Sequence, residues 1–463
     1  MWKEIIITIV VIGVLIGGGA IARAINEKKY NDKIEKIASE IYAEGKGTES
    51  NPYIVDNAYR LSSMSKLDKF KRYFKLTVDI DLADWEGEDS DGNPTTIWKP
   101  IVPFEGYFDG DNHTIKNLNN NLFGSCSGEI KNLNLDVNID CNNNFWYLGT
   151  IANSSDNLIE NCHVTGTFKA NTDYGAIGGL VGESTGTIRN CTSSVKITTN
   201  IYSGNGEGRQ RVGGIAGYGT NIENCVFNGT LDVTAYVRKG RSELNRTGKV
   251  LNSEEFVSTT CVGGIVGMLN GTVEKCVSDV GKVRLNAVLK SKLSLTDYKS
   301  NMPYVVGGIA GINKKDGSIK NCAAVFSVSE EYQPPVTLFE QEEYYIQFMV
   351  AGVAGISDGK INNVISHLSV TNTTGYGVIF GGDDHFVSNC YYYNQSFAGI
   401  YHPIKPNHFI EEEGIYMKAT VGQMVEFPDG QGIWTQEEGD LLPKLIYNDI
   451  PYEYKNLTIK SEE

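Results

Sequence analysis

The sequence predicts an all-β protein: a right-handed, single-stranded parallel β-helix, with an N-terminal hydrophobic and amphipathic helical region and a C-terminal cap. Three observations predict this fold. A tetrapeptide of the form Ile-x-Asn-Cys recurs along the chain, a small-residue pentad of the form Gly-Gly-x-x-Gly precedes most copies, and the pieces between them are short and β-prone. Units of about 25–30 residues made of short strands fit one coil of a β-helix.

The chain begins with an uncharged, mostly apolar run from Ile5 to Ala22. A run of this length is at the lower limit for a membrane-spanning helix, and the small residues at its end resemble a signal-peptidase site. We therefore expect residues 1–24 to be either a signal anchor or a cleaved signal peptide. Lysines and arginines are more frequent after the run than before it, which by the positive-inside rule favours a cytoplasmic location for the C-terminal side of the run.

The segment 25–46 places Ile34, Ile37, Ala38 and Ile41 at helical spacing among charged residues. This pattern predicts an amphipathic helix. Such a helix could serve either as a stalk or as a cap over the end of the main domain.

Charge and composition exclude several classes of protein. The formal net charge is −15, from 41 Lys and Arg against 56 Asp and Glu, which argues against nucleic acid as a general partner. Glycine is frequent, but no Gly-X-Y period is present, so a collagen-like chain is excluded.

Candidate metal ligands are few. The six histidines are scattered, and none is at ligand spacing from a cysteine or a second histidine. The segment 87–93 resembles part of a calcium-binding loop, but the first ligand position would be Gly87 and the closing glutamate position is Trp98. We therefore expect a solvated acidic turn there, and we predict no metal site and no cofactor.

The predicted architecture follows from the repeated tetrapeptide. Its fourth position reads Leu118, Leu133, Cys162, Cys191, Cys225, Cys276, Cys322, Val364 and Cys390. In a β-helix, equivalent positions of successive coils stack on one another. A metal ligand or nucleophile could not exchange with leucine or valine, whereas a small buried apolar residue could. The six cysteines of this ladder are therefore predicted to be core residues, and disulfides between stacked coils are disfavoured.

The other repeat positions also have predicted roles. The Ile or Val at the first tetrapeptide position is expected to form an aliphatic ladder. The asparagine at the third position suits a turn residue in the left-handed region, or a ladder of amides that bond coil to coil. The paired glycines of the pentads are expected where the backbone bends and a Cβ would not fit.

The pentads GGLVG, GGIAG and GGIVG, followed by Ile-x-Asn-Cys, resemble the GLUG-type repeats of bacterial and archaeal surface proteins. Segments 47–65, 73–82 and 97–118 resemble the lead-in to such repeats, and 432–445 resembles their closing segment. The resemblance implies an adhesin-like parallel β-helix; such repeats also lie beside the peptidase domain of some IgA-cleaving proteases. The H-E-x-x-H motif of that peptidase and an L-P-x-T-G sorting motif are absent from this sequence.

This interpretation divides the chain into five parts. They are a signal anchor or signal peptide (1–24), a helical stalk or cap (25–46), a lead-in and N-terminal cap (47–110), GLUG-type repeats (111–395) and a C-terminal cap (396–463). Because the family is extracellular, we expect this protein at the cell surface, anchored in the membrane by its N-terminal segment. It would be secreted if that segment is cleaved.

Four insertions interrupt the repeat, at about 201–211, 232–260, 283–304 and 329–348. Insertions at one point of a solenoid project from one face, which is often a binding face. The second and third are basic and the fourth is acidic and aromatic, so a surface glycan or a protein is the expected ligand. The candidate binding residues are Tyr332, Phe339, Tyr344, Tyr345, Arg238 and Arg241. The alternative is that the insertions are hairpins that carry solvated charges.

Two other functions remain open. A Gly-Asp-Asp sequence suggests a carbohydrate-active β-helix enzyme, hydrolase or lyase, because paired carboxylates could act as acid and base. Counted back from the last tetrapeptide, Asp383, Asp384 and His385 fall in the variable turn of the repeat. That count places Asp384 level with Gly219, so we predict that the protein is not an enzyme. The third possibility is an architectural envelope or filament subunit, and the sequence does not predict an oligomeric state.

Overall fold

The computed structural model of the chain confirms the parallel β-helix. It describes residues 28–29, 32–67, 71–141, 146–172, 175–202, 210–237, 260–289, 304–332, 348–371, 376–377, 380–382, 387–393, 397–398, 416–419, 434–435 and 444–457. Most strands in these residues belong to one parallel sheet of 26 strands or to a second of 7 strands. They form three faces, which we call A, B and C in the order in which each coil visits them.

Face A consists of short strands that mostly end in the first glycine of the pentad. They are Tyr147–Gly149, Ala176–Gly178, Gln210–Gly213, Thr260–Gly263, Tyr304–Gly307, Phe348–Ala351 and Tyr376–Gly377. Successive strands pair without a shift, so that Val212 lies beside Val262 and Val262 beside Val306.

Face B runs from the pentad to the tetrapeptide. Its strands are Tyr53–Val55, Tyr73–Leu76, Tyr107–Asp109, Phe123–Cys126, Glu129–Lys131, Ala152–Ser155, Leu158–Glu160, Val181–Arg189, Ala216–Glu223, Val266–Glu274, Ala310–Asn313, Ala354–Ser357 and Phe380–Gly382. The ladder of this face therefore already includes strands from the predicted lead-in segment.

Face C follows the tetrapeptide and has the longest strands. They are Ile80–Asp81, Thr114–Leu118, Asn134–Cys141, His163–Thr172, Thr192–Tyr202, Val226–Phe227, Thr230–Val237 and Val277–Leu289, and then Ser318–Tyr332, Lys360–Thr371 and Val387–Tyr393, which begin on face B. Phe397–Ala398 and Tyr416–Ala419 continue the pairing. In the strand Asn134–Cys141 every second residue is buried, because alternate side chains of a strand point into the core.

The remaining elements lie outside the three faces. Helix α1 covers residues 32–41, helix α2 is Ala58–Ser62, and a 3₁₀ turn follows at Ser63–Lys66. An antiparallel hairpin pairs Gly87–Glu88 with Pro94–Thr95, and a C-terminal antiparallel sheet contains Trp434–Thr435, Lys444–Tyr447 and Ile450–Pro451.

Helix α1 closes the N-terminal end of the core. Its residues Ile34, Ala38 and Ile41 are buried against the solenoid. Just after the helix, Tyr42 stacks on Tyr53 of the first face B strand, with ring centroids 4.9 Å apart. The amphipathic segment is therefore a cap over the first coil. No helix of the described residues is long and apolar enough to cross a membrane, and the apolar run near the N-terminus lies outside those residues.

The turn from face B to face C is made by the third tetrapeptide residue in the left-handed region. The residues with φ of 49–56° are Asn132, Asn161, Asn190, Asn224, Lys275, Asn321 and Asn363. Asparagine enters this region at a lower cost than most residues. The amides also bond between coils: Nδ2 of Asn161 donates to Oδ1 of Asn132 over 3.1 Å. Nδ2 of Asn224 donates to Oδ1 of Asn190 over 2.8 Å, so both predicted roles are confirmed.

The bend from face A to face B requires glycine. A Cβ on Gly263 would lie 1.9 Å from the carbonyl oxygen of Val266 in the same bend. The last glycine of the pentad has a different neighbour, because the face A strand of the preceding coil packs on it. A Cβ on Gly267 would lie 2.6 Å from the backbone nitrogen of Val212. The predicted role of the glycines is confirmed.

The interior is filled by columns of equivalent residues. Ile159 and Ile188 pair across adjacent coils and are fully buried. Val364 pairs with Cys322 on one side and Cys390 on the other. The predicted ladder cysteines are all buried free thiols: Cys162, Cys191, Cys225, Cys276, Cys322 and Cys390.

These thiols are poor candidates for chemistry. Several donate to nearby backbone carbonyls; Sγ of Cys191, for example, lies 3.1 Å from the carbonyl oxygen of Arg189. Burial raises the pKa of the Cys162, Cys225 and Cys276 thiols, which disfavours the nucleophilic thiolate.

One tetrapeptide was misplaced. The copy that begins at Ile115 lies on face C and not on face B. The face B position that precedes Ile130 is held by Phe108. The buried column therefore starts at Leu133, and the prediction that placed Leu118 in it was wrong. The alternation of buried and exposed residues on a face C strand gives an amino-acid pattern that matches the tetrapeptide.

Candidate binding edge

The four predicted insertions connect strands that end and begin at the corner between face C and face A. The face C strands before them end at Tyr202, Val237, Leu289 and Tyr332, and the face A strands after them begin at Gln210, Thr260, Tyr304 and Phe348. The pairing of Tyr202 with Tyr236 and of Val237 with Leu289 shows that these strand ends are neighbours. Adjacent coils are about 4.8 Å apart. We call this row of strand ends the insertion edge.

Polar side chains stack along the departing side of the insertion edge. Nδ2 of Asn200 donates to Oδ1 of Asn171 in the preceding coil over 2.8 Å. In the next coil, Asp232 forms an ion pair with Arg284 of the coil after it over 2.7 Å. These contacts join face C strands of neighbouring coils before the chain leaves the parallel strands of the three faces, which we call the wall.

The returning side is fixed by a buried column. Gln210, Thr260 and Tyr304 pair with one another and are almost completely buried. Oγ1 of Thr260 donates to Oε1 of Gln210 over 2.8 Å. The hydroxyl of Tyr304 lies 2.6 Å from the carbonyl oxygen of Asn286 and 2.9 Å from that of Val233. Asn286 lies on the face C strand that ends at Leu289, and Tyr304 begins the next face A strand. This hydroxyl therefore joins the two strands between which the chain of the third insertion runs.

Charged and aromatic groups lie beside the returning strands. The guanidinium of Arg211 lies 5.1 Å from the ring centroid of Tyr218, which is within the range of a cation–π contact. In a neighbouring part of the wall, burial and the nearby Glu183 carboxylate raise the pKa of Tyr147, so this phenol stays protonated. The edge is therefore flanked by groups that can donate hydrogen bonds and stack.

One of the predicted binding residues lies at this edge in the described part of the chain. Tyr332 is the last residue of a face C strand and starts the fourth insertion. The other five candidates, Phe339, Tyr344, Tyr345, Arg238 and Arg241, lie outside the described residues.

The candidate catalytic loop is only partly described. Asp383, Asp384 and His385 lie outside the described residues. Successive pairings place Gly382 in the column of Gly219. The predicted alignment of Asp384 with that column was wrong, because the turns of face B differ in length from coil to coil.

In the acidic loop at 87–93, the carboxylate of Asp89 has a structural role. Oδ1 of Asp89 accepts from the backbone N–H groups of Asp91 and Asn93, each over 2.9 Å. Hydrogen bonds from Asn93 and Asp91 lower the pKa of Asp89 and close the hairpin tip. In the described part of the chain, no three His, Cys, Asp or Glu side chains are grouped as a metal site would require.

A charged column on face B was not predicted. The second tetrapeptide residues stack outside the wall as Lys131, Glu160, Arg189, Glu223, Glu274 and Lys320. Nε and Nη2 of Arg189 both lie 2.7 Å from Oε1 of Glu160, and Nζ of Lys320 lies 2.8 Å from Oε2 of Glu274. The changes of sign along the repeat are the signal that could have revealed it. The pairs of opposite charge favour the observed register, whereas the neighbouring carboxylates of Glu223 and Glu274 repel each other.

Comparisons with known proteins agree with the repeat. A family model described as the GLUG motif matches residues 173–198, which confirms the predicted resemblance. Halomucin of Haloquadratum walsbyi (strain DSM 16790 / HBSQ001) is 30% identical over 180 residues, which are 37% of this chain and 2% of that protein. Immunoglobulin A1 protease of Streptococcus sanguinis is 25% identical over 284 residues, 58% of this chain and 11% of that protein. The matches span only a small part of either relative.

Two solved structures are similar. One is a Bacteroides ovatus protein provisionally described as an immunoglobulin A1 protease, with a TM-score of 0.43, 23% identity, and coverage of 68% of this chain and 87% of that one. The other is described as IgA1 Protease, with a TM-score of 0.42, 18% identity, and coverage of 76% of this chain and 22% of that one.

Proposed function

We propose that this protein is a surface-displayed or secreted, adhesin-like module that binds a polysaccharide or a protein through its insertion edge. The observation that carries the proposal is the common origin of the four insertions. They leave adjacent coils at one corner, from strand ends that polar contacts hold in place. A rigid wall that presents four different segments side by side is typical of a solenoid with a binding face.

The composition of the insertions supports an extended ligand. The second insertion contains Arg238 and Arg241, whereas the fourth contains Phe339, Tyr344 and Tyr345 between acidic residues. By composition, the second insertion is thus cationic and the fourth is aromatic and acidic. Strand ends on neighbouring coils lie about 4.8 Å apart, so four of them span about 15 Å, which suits a short stretch of polymer.

An extracellular setting is also supported by a relative. The Streptococcus sanguinis relative is named for immunoglobulin A1, which circulates outside cells. The apolar run from Ile5 to Ala22 would then serve as the anchor or the signal peptide.

The test is a glycan and host-surface-protein array probed with the chain from residue 25 onward, which keeps helix α1 over the first coil. We expect binding that falls at least about tenfold when Tyr332, Phe339, Tyr344 and Tyr345 are changed together to alanine. The matched control is Tyr73→Ala together with Tyr107→Ala, a stacked pair on face B far from the edge. Unchanged binding by the quadruple variant, with circular dichroism equal to that of the parent, would refute the aromatic part of the proposal.

A polysaccharide-cleaving enzyme is the second candidate, favoured by the Gly-Asp-Asp sequence that follows Gly381. Turnover on acidic and neutral polysaccharides, compared with an Asp383→Asn/Asp384→Asn variant, separates the two functions. Cleavage that this variant abolishes would establish the enzyme, whereas binding without cleavage supports the binding module.

A further inference from the structure

The C-terminal residues 434–435 and 444–457, which we call the strap, lie against face C in the middle of the solenoid. They form a three-stranded antiparallel sheet, unlike the parallel wall beneath. Its hairpin turns at Asn448 and Asp449, with φ of 49° and 64°, the left-handed pair that a two-residue hairpin favours. The strap thus has its own local structure and does not extend the coils.

Face C is apolar where the strap covers it. In the N-terminal coils, one outward column is polar and partly exposed: Asn134, His163 and Thr192. The same column continues as buried apolar residues: Val226, Val277, Ala323 and Ile365. These four, with Val325, pack on Trp434 and Leu445 in a cluster separate from the main core. We call them, together with Asp279, the seat.

A buried carboxylate holds the strap on the seat. Asp279 is fully buried, and its Oδ2 accepts from the backbone N–H of Lys455 over 2.6 Å and from the hydroxyl of Tyr452 over 3.0 Å. Its Oδ1 accepts from the backbone N–H of Asn456 over 3.0 Å. All three donors belong to the strap, so release of the strap returns the carboxylate to water. Burial and the adjacent Asp279 raise the pKa of Tyr452, which keeps its hydroxyl a donor.

The seat therefore recognises a short arrangement of hydrogen-bond donors in the strap. A phenol hydroxyl is followed, three and four residues later, by two consecutive backbone N–H groups that converge on one carboxylate. Two further contacts fix the alignment. Nδ2 of Asn456 donates to the carbonyl oxygen of Asp279 over 2.7 Å, and Nδ2 of Asn224 donates to Oδ1 of Asn448 over 3.0 Å. The second contact joins the strap to the asparagine ladder.

We infer that the seat is an exchangeable docking site for the strap, and that a second copy of this chain can supply the strap. Every copy carries both halves of the contact, and the apolar seat column would be unfavourably exposed to water without a strap. Fourteen residues (420–433) separate Ala419 from Trp434, a stretch that can extend to about 45 Å at about 3.3 Å per residue. That reach allows the strap to cross to a neighbouring molecule. The inference is independent of the insertion edge, which lies on another corner.

The test uses two complementary variants of the full chain. Leu445→Asp puts a carboxylate into the apolar contact, so the strap of this variant cannot dock and its intact seat is left uncovered. Asp279→Asn replaces a carboxylate oxygen by an amide N–H that faces other N–H groups, so the seat of this variant cannot hold a strap and its intact strap is undocked. We expect a one-to-one complex in light scattering when the two are mixed. We also expect a fluorescent peptide of residues 444–457 to bind Leu445→Asp at least about tenfold more tightly than the parent, whose seat is filled.

The matched control is Asp232→Asn, which changes a face C carboxylate outside the seat and should leave the peptide unbound. If Leu445→Asp does not fold, Tyr452→Phe removes a single donor. Hydrogen exchange at the amides of Lys455 and Asn456 should then be about tenfold faster, with that of Ile188 in the wall unchanged. Absence of the mixed complex, or unchanged exchange in Tyr452→Phe, would overturn the inference.

Discussion

The turn between faces B and C and the corner between faces C and A recur from coil to coil, yet they are built in opposite ways. The turn holds a left-handed residue whose side chain bonds to its equivalent in the next coil, as Asn161 does with Asn132. The corner carries segments that differ in length and charge from coil to coil. A position that must stack on its neighbours is constrained by them, whereas a position that leaves the wall is not.

This difference separates the parts of the chain that form the fold from those available for binding. The wall repeats because each coil is the template for the next, and a change in one coil alters two interfaces. The insertion edge needs only fixed strand ends, which the buried hydroxyl of Tyr304 and its contacts provide. Changes in the wall should therefore alter stability, and changes at the edge should alter binding.

The largest expected effect is that of a methyl group in the wall. In Gly267→Ala the new Cβ would lie 2.6 Å from the nitrogen of Val212 and 2.7 Å from the carbonyl oxygen of Gly217. Backbone atoms cannot rotate away, so we expect the free energy of unfolding in urea to fall by about 3 kcal/mol. In the control, Gly219→Ala, the nearest atom is the side-chain Cδ1 of Ile222 at 3.0 Å, and the loss should stay below about 1 kcal/mol. Equal losses would contradict the packing of face A on this glycine.

A reciprocal exchange tests the turn. Asn224→Lys removes two amide hydrogen bonds and puts a less suitable residue in the left-handed region, so we expect a loss of about 2 kcal/mol in the free energy of unfolding. Lys275 already occupies the equivalent turn with φ of 54°. Lys275→Asn should therefore stabilise the protein by about 0.5–1 kcal/mol. Stabilisation by the first change or destabilisation by the second, in thermal and urea unfolding, would show that the ladder is dispensable.

At the insertion edge the expected change in stability is smaller and of opposite sign. Replacement of residues 238–259 by six Gly and Ser residues shortens one connection, which should stabilise the fold by about 1 kcal/mol through the lower entropy of loop closure. Binding of the array ligand should fall, because Arg238 and Arg241 are removed. A loss of stability above about 2 kcal/mol would show that this insertion is part of the wall.

Most of the wall could be predicted from the sequence, because each position of the repeat has the same structural role, as turn, bend or core residue, in successive coils. Two pentad equivalents were nevertheless missed: Gly149 pairs with Gly178 at the start, and Gly377 pairs with Ala351 at the end. In the first of these coils, Asn153 stands where later coils have the last glycine. Glycine is not needed there, because the contact would come from a face A strand of the preceding coil, and the first face A strand of the described residues, Tyr147–Gly149, already belongs to the coil of Asn153.

The strap could not be predicted, because its contacts are not periodic. Asp279 and Lys455 are 176 residues apart, and neither belongs to a repeated motif. The apolar residues of the seat were a usable signal, since Val277 and Ala323 occupy a column that is polar in earlier coils. To detect this signal, the register of the face C strands must be known. The tetrapeptide that begins at Ile115 shows that the amino-acid pattern alone does not determine that register, because the pattern was assigned to face B and the residues lie on face C.

The smallest expected effect is on the residue that repeats most conspicuously. Cys191→Val should change the free energy of unfolding by no more than about 1 kcal/mol, because Val364 fills the same position between two cysteines. The weak bonds from Sγ to backbone carbonyls are lost, but the added methyl group offsets them by burial. Thiol titration of the native protein should show slow labelling of the buried ladder, and urea should make all nine cysteines reactive. If Cys191→Val instead removed ligand binding while stability was kept, the wall and the edge would not be separable, and the division between fold and function drawn from their geometry would fail.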